Sequence, residues 1–363
     1  MTTATPPAPR IEKHPSSASA SQKMVEEIEA MSVKSSDAGG ASPGSDAPKA
    51  ARRSVSLDGV FQFLEKERSR EHKNDRTITD EDATAARASP SFADKLYDSL
   101  STLADAIRVF GAQQMLISFN GGKEASVLLF LFLVVTDSRW AQTCSDTTSA
   151  SSSGAVPATC TINSPSSAVN DTSRSSSSGT TSPMRAVHFV NPDEFPEILQ
   201  YVSDIEGMLK QDSSSSTTSS SATKRTRHVV LERTSAGWRD GISSIVERAR
   251  PQTLCFAIGT RKTDPNAGSR PERFEPSSAW LGPNVTFMRV NPILDWSYHD
   301  VWYFLRAFDL PYCALYDQGY TSIGTVKNTR PNEALRISPS DTDFRPAWTL
   351  EDESLERAGR GVA

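Results

Sequence analysis

Hydrophobic positions recur at helical spacing over residues 92–110, where Phe92, Leu96, Leu100, Leu103 and Ile107 share one face. A short apolar stretch at 113–119 runs into a glycine turn, and 125–135 is then apolar throughout except for Ser126. This order predicts a strand, a loop and a buried helix. Further on, 186–190 reads as a strand, and 195–202 opens a helix with Pro196 in its first turn. A strand at 228–231, a helix at 238–249, and strands at 253–258 and 285–290 follow. Ser297 is the expected cap of a helix over 298–308, and 351–360 has the pattern of a terminal helix. The alternation predicts an α/β fold, a doubly wound and mostly parallel sheet covered on both faces, with an irregular C-terminal region.

Polar, low-complexity segments interrupt this pattern. Residues 144–183 are about half serine and threonine, and 211–226 are dominated by serine. Neither buries enough apolar surface to order itself, so both read as insertions in one domain over 91–363. Residues 1–90 mix alanine, serine, threonine and proline with charge and read as a disordered arm, dispensable through residue 85. Only the run Val60-Phe61-Gln62-Phe63-Leu64 stands out there, and it reads as a transient helix.

Composition narrows the function. Of 363 residues, 37% are hydrophobic, but the longest apolar run, Val127 to Val135, is far shorter than the roughly 18–20 residues needed to cross a bilayer. A net charge of −5 argues against a nucleic acid partner. The four cysteines are widely spaced without a C-x-x-C pair, which fits a reducing compartment. With no signal-like N-terminal segment, the expectation is a cytosolic monomer acting on small molecules.

The sharpest chemical signal is Ser118-Phe119-Asn120-Gly121-Gly122-Lys123-Glu124, placed where a buried strand turns into a buried helix. Glycines admit close backbone approach, and the first helical amides face an anion with the positive dipole end. Lys123 and Ser118 add a charge and a hydroxyl. The spacing is not that of a Walker A loop, because Glu124 stands where Ser or Thr is required. It is similar to the PP-loop of ATP pyrophosphatases.

Downstream, Asn291-Pro292-Ile293-Leu294-Asp295-Trp296-Ser297 leads through Leu310-Pro311-Tyr312-Cys313 to Gly324. Together with Gly259-Thr260-Arg261-Lys262-Thr263-Asp264-Pro265 and Glu356-Arg357-Ala358-Gly359-Arg360, this block closely resembles the eukaryotic, yeast-type FAD synthase (FMN adenylyltransferase) family. That family belongs to the phosphoadenylylsulfate-reductase-like branch of the PP-loop fold. The resemblance implies transfer of AMP from ATP to FMN, giving FAD and pyrophosphate with Mg2+. It assigns Ser118, Asn120, Gly121, Gly122 and Lys123 to the ATP phosphates, and Phe189 and Val190 to the adenosine. Gly259, Arg261 and Asp264 join the nucleotide site, with Glu124 and Asp264 as magnesium ligands. Arg357 and Arg360, one helical turn apart, would grip the FMN phosphate or close over the flavin. Asn120, Lys123, Asp264, Arg357 and Arg360 are the residues expected to act in the reaction.

Two departures stand out. Glu124 replaces the family's usual aspartate, and on the flavin side, where the family has a Thr-Asp pair shortly before a tryptophan, Glu275 stands for the aspartate while Trp280 retains the aromatic. Asp295 and Trp296 also fall to the flavin side. By position, however, Asp295 precedes a helix N-terminus, and Trp296 belongs to a dense aromatic run that equally reads as core. His188 and His299 read as bystanders. The alternative to catalysis is a regulatory module of the same fold that binds ATP without chemistry. A sulfonucleotide reductase would need a redox-active cysteine beyond Cys313, and the sequence has none there.

Overall fold

The structure, a computed structural model, describes residues 55–74, 90–140, 183–214, 229–265, 267–268, 271–277, 281, 285–338 and 342–361, with the side chains of 71–74 and 211–214 left aside. Six strands, β1 (Met115–Ser118), β2 (Met184–Phe189), β3 (Val229–Thr234), β4 (Cys255–Ala257), β5 (Phe274–Pro276) and β6 (Met288–Val290), form one sheet in the order β3-β2-β1-β4-β6-β5. All pairings are parallel except β5 against β6. The helices are α1 (Asp58–Asn74), α2 (Phe92–Phe110), α3 (Lys123–Thr136), α4 (Pro196–Ser214), α5 (Trp238–Ala249) and α6 (Tyr298–Ala307). None of them is long and apolar enough to cross a membrane.

The period-two alternation of strand side chains divides the core between the two sheet faces. Leu116 and its register partner Phe256 pack with Ile242, Ile245 and Val246 of α5. Met115 and Ile117, with partners Cys255 and Ala257, face the larger cluster that includes α2 and α3. Helix α3 is buried nearly all round, as its unbroken apolar run requires. Ser91 with Asp94 starts α2, and Ser297 with Asp300 starts α6, each as a reciprocal capping box.

Four expectations need correction. Residues 55–74 are not part of a disordered arm. Val55, Leu57, Val60 and Leu64 are buried, the Tyr97 hydroxyl donates to the Leu64 carbonyl at 2.8 Å, and Arg139 pairs with Asp58 at 2.6 Å. Leu57, Val60, Phe61 and Leu64 hold the i, i+3, i+4, i+7 spacing of a docked helix, a signal diluted by the charged residues around it. The serine-rich tract does not begin at 211, because the backbone of α4 stays helical to Ser214. No terminal α-helix forms over 351–360, which holds a 3-10 turn at Glu353–Leu355 and an isolated bridge between Arg360 and Thr329. Strand β5 was not foreseen, since three residues that include a proline carry no periodic signal. Residues 1–54 and 75–89 of the expected arm, 144–182 of the first insertion and 215–226 of the second lie outside the described residues.

One feature of the topology positions the site. Strand β1 pairs with β2 on one side and β4 on the other, so the chain leaves the C-terminal ends of β1 and β4 in opposite directions. Open α/β sheets bind ligands in the crevice at such a switch point. The loop from Ser118 to Gly122 follows β1, and the loop from Gly259 to Asp264 follows β4.

Candidate functional site

The loop after β1 is shaped by its glycines. Gly121 has φ +73°, and a Cβ there would stand 3.1 Å from Ile198. Gly121→Ala is therefore expected to distort the loop, costing about 1–3 kcal/mol of loop conformation and weakening ATP binding about tenfold or more. Calorimetric titration with ATP checks this, and wild-type affinity in the variant would remove the loop from the site. At Gly259 a Cβ would lie 2.7 Å from Glu124 Cβ. Its lack of a side chain lets the end of β4 approach α3.

Within the loop, the Gly122 N–H donates to Asn120 Oδ1 at 2.9 Å, leaving the Asn120 amide NH2 for a ligand oxygen. The Lys123 N–H donates to the Tyr316 hydroxyl at 2.8 Å. Gly122 caps α3 without a side-chain bond, as an anion-binding helix start requires. Beside the loop, Ser118, Asn120, Phe189, Val190 and Trp238 line a cleft of about 320 Å³, which joins the residues expected to hold phosphates to those expected along the adenosine. Buried His188 fastens this corner, with Nδ1 3.0 Å from the Phe119 carbonyl and Nε2 3.2 Å from Glu194.

The Lys123 side chain is not where the sequence places it. It is 1% exposed and held in a charged cluster behind the loop, and it is not among the residues that line the cleft. Its ammonium meets Glu356 Oε1 at 2.6 Å, Glu124 Oε1 at 2.9 Å and the Thr321 carbonyl at 3.0 Å, which occupies all three protons. It also lies over the rings of Tyr298 and Tyr316, 5.1 and 5.7 Å from their centroids. Burial pushes both tyrosine hydroxyls well above their ordinary range, so they stay protonated. The contribution of Lys123 to an anion site is the cluster it anchors.

Arg261 completes that cluster from the loop after β4. Its guanidinium is 1% exposed, and one nitrogen, NH2, meets Glu356 at 2.6 Å, Asp264 at 3.1 Å and Glu124 at 3.3 Å. Burial alone would lower its pKa, but the three carboxylates outweigh burial and raise it. Burial opposes ionisation of Glu124 as well, and Lys123 and Arg261 overcome it to hold the carboxyl below its usual value. For Asp264 burial wins over Arg261 and the pKa rises. Glu124 and Asp264 do not fit their expected role as magnesium ligands, because the arginine nitrogen occupies the point where the carboxylates converge. Among the described residues no group of three or more His, Cys, Asp or Glu side chains is placed to hold a metal.

Several residues expected on the flavin side have partners within the protein. Trp296 is core: it is 2% exposed, donates to Ser99 Oγ at 2.9 Å, and packs edge-on against Phe92 and Phe304. Trp302 likewise packs among Tyr298, Tyr312 and Tyr316. Asp295 pairs with Lys262 and, at 2.9 Å, with Arg273, while Ser297 and Asp300 cap the helix. Glu275 pairs with Arg289 at 3.0 Å and accepts from Asn291. Trp280 lies outside the described residues.

Arg357 and Arg360 share no helical face, yet both stand near the cluster. Arg360 NH1 lies 3.5 Å from Ser322 Oγ, one residue from Thr321. Burial and neighbouring Arg357 lower the Arg360 pKa, and its buried Nε has no partner. Two close cations with no carboxylate paired to either among the described residues suit an anion. The same segment is held through His299, whose Nε2–H donates to the Leu350 carbonyl at 3.0 Å, leaving protonated Nδ1 to pair with Glu353 at 3.6 Å. Glu353 raises the His299 pKa and is itself held below its usual value by His299. The histidine contribution is thus full below about pH 6.5 and lost as pH rises through its raised folded value. The Glu353 contribution is lost only as pH falls through its depressed one. His299→Gln should therefore lower the melting midpoint by about 2–4 °C, or about 1 kcal/mol, at pH 6 and hardly at all at pH 9. A pH-independent difference would contradict this.

The sequence signal missed one participant. Glu356 belongs to the terminal motif, but a glutamate in a charged segment reads as solvated, and its partners are 233 and 95 residues away.

Residues 114–331, well over half the chain, match the phosphoadenosine phosphosulfate reductase domain. The chain belongs to that family. Within the phosphoadenosine phosphosulfate reductase domain family, it is 30% identical over 272 residues to a probable FAD synthase of Caenorhabditis elegans, an alignment covering 74% of this chain and 41% of the relative. It is 34% identical over 173 residues to a probable FAD synthase of Schizosaccharomyces pombe, covering 47% and 56% respectively. The chain thus spans between about two fifths and just over half of these relatives' length. In fold it is similar to Candida glabrata FMN adenylyltransferase in complex with FMN and the ATP analogue AMPCPP, with TM-score 0.53, 19% identity, and coverage of 76% of this chain and 94% of that one.

Proposed function

We propose that this chain transfers AMP from ATP to FMN, giving FAD and pyrophosphate. The observation that carries the reading is the glycine loop from Ser118 to Gly122 at the sheet's switch point, flanked by the loop after β4 that holds Arg261. The close pair Arg357 and Arg360 supplies positive charge for a second anion. Relatives named FAD synthase and a similar fold that binds FMN with an ATP analogue support it.

The chemistry asks little of a base. The FMN phosphate is already ionised at neutral pH, so one of its oxygens attacks the α-phosphorus directly. The new P–O bond forms as the bond to the β-phosphate oxygen breaks, and pyrophosphate leaves with that electron pair. What the protein supplies is alignment of two mutually repelling anions and donors for the departing charge. Asn120 NH2, loop backbone amides and Arg261 serve the ATP phosphates, and Phe189 and Val190 lie along the adenosine. Arg357 and Arg360 hold the FMN phosphate. Magnesium enters this proposal as part of the ATP substrate.

Sulfonucleotide reduction is disfavoured on thiol chemistry. The two cysteines among the described residues, Cys255 and Cys313, are buried, and burial pushes both thiols up to about 12, far from a reactive thiolate. Free buried cysteines also suit the cytosolic location proposed here.

The test is to incubate the purified chain with ATP, magnesium and FMN, following FAD by chromatography and pyrophosphate by a coupled assay. Equal amounts of both are expected. ATP binding with neither product would favour a silent nucleotide-binding module instead.

A further inference from the structure

Arg261 is buried to 1%, yet its Nε and NH1 have no hydrogen-bond partner, whereas its NH2 is shared by three carboxylates. A buried guanidinium left half-satisfied, 3.3 Å from Glu124 in the first turn of the helix that follows the glycine loop, marks a place where a ligand oxygen belongs. What fixes the guanidinium in that orientation is chiefly Glu356. One oxygen of its carboxylate meets Arg261 NH2 at 2.6 Å, and the other meets Lys123 Nζ at 2.6 Å.

We infer that Glu356 is a positioning residue of the nucleotide site: by bridging Lys123 and Arg261 it presents the unpartnered Nε and NH1 of Arg261 to the ATP phosphates. This rests on the reading of the loop as an ATP site. Glu356 itself touches no substrate.

The carboxylate is not needed to hold its own segment. Thr321 Oγ1 donates to the Glu356 carbonyl at 2.6 Å, Asn332 Nδ2 to the Leu355 carbonyl at 2.8 Å, and the Arg330 N–H to the Gly359 carbonyl at 2.9 Å. Nor does the cluster need its charge for balance. Two cations, Lys123 and Arg261, face three carboxylates, so removing one leaves two and two. Glu356→Gln should fold with its C-terminal segment in place. A neutral amide accepts with one oxygen only and turns an NH2 toward the other cation, so the bridge is lost.

The experiment compares full-length wild type, Glu356→Gln and Glu356→Asp. Calorimetry with a non-hydrolysable ATP analogue, in the absence of FMN, should show about tenfold weaker binding for Glu356→Gln. Glu356→Asp, which restores the charge one methylene shorter, should lie between the two. In steady-state FAD formation, the KM for ATP should rise several-fold more than that for FMN. Trypsin cleavage after Arg357 should keep its wild-type rate, which a merely structural role would not allow. Unchanged analogue affinity, equal rises in both KM values, or faster cleavage in proportion to lost activity would each overturn the inference. If wild type makes no FAD, the proposed reaction fails, and analogue affinity alone decides the role of Glu356.

Discussion

Deleting residues 1–85 should lower the melting midpoint steeply or abolish folding, whereas deleting only 1–54 should leave it close to that of the full chain. The longer deletion removes Val55, Leu57, Val60 and Leu64, each buried to 7% exposure or less. At about 1.5–3 kcal/mol for each buried aliphatic side chain, the gross loss is on the order of 10 kcal/mol before the entropy of ordering the helix is deducted. That is comparable with the whole stability of a typical domain, about 5–15 kcal/mol. The deletion also strips aromatic cover, because Phe63 packs on Phe92 and edge-on against Phe308. Thermal denaturation of the two truncations checks this. A 1–85 deletion melting within a couple of degrees of the full chain would return α1 to the status of a transient helix.

Lys123→Met should be the most damaging single substitution in the site. It leaves Arg261 alone among Glu124, Asp264 and Glu356, two of which also lose a direct partner. Breaking a buried ion pair from one side typically costs about 3–5 kcal/mol, because the remaining charge stays buried without compensation. For a domain of this size the midpoint should fall by on the order of 10 °C. The expected signature is loss of stability first, with ATP affinity falling as a consequence. A variant with a wild-type melting midpoint and ATP affinity reduced more than tenfold would mean that the ammonium leaves the cluster to meet the phosphates directly.

Most of the fold was legible because it is written in local pattern. Helix α5 begins and ends where the spacing predicted, and α3 exceeds its apolar run by only two residues at its start and one at its end. The phosphate loop was legible for the same reason, since glycines between an apolar strand and an apolar helix leave few alternatives. What escaped the sequence depends on distant partners. Four apolar residues in a charged segment become a docked helix because α2, Arg139 and Phe308 offer a surface for it. Lys123 reads as a phosphate ligand until a glutamate from the far end of the chain captures it. Trp296 and Asp295 likewise look available until Ser99, Lys262 and Arg273 arrive from other elements.

The short antiparallel strand β5 has a consequence for behaviour at high concentration. It forms the last rung of the sheet and ends in Pro276, which has no N–H to offer. An incoming strand from another molecule finds at most two backbone donors there before the ladder stops. That edge is a poor template for sheet extension between molecules, so it should not seed fibrous aggregation when the protein is concentrated.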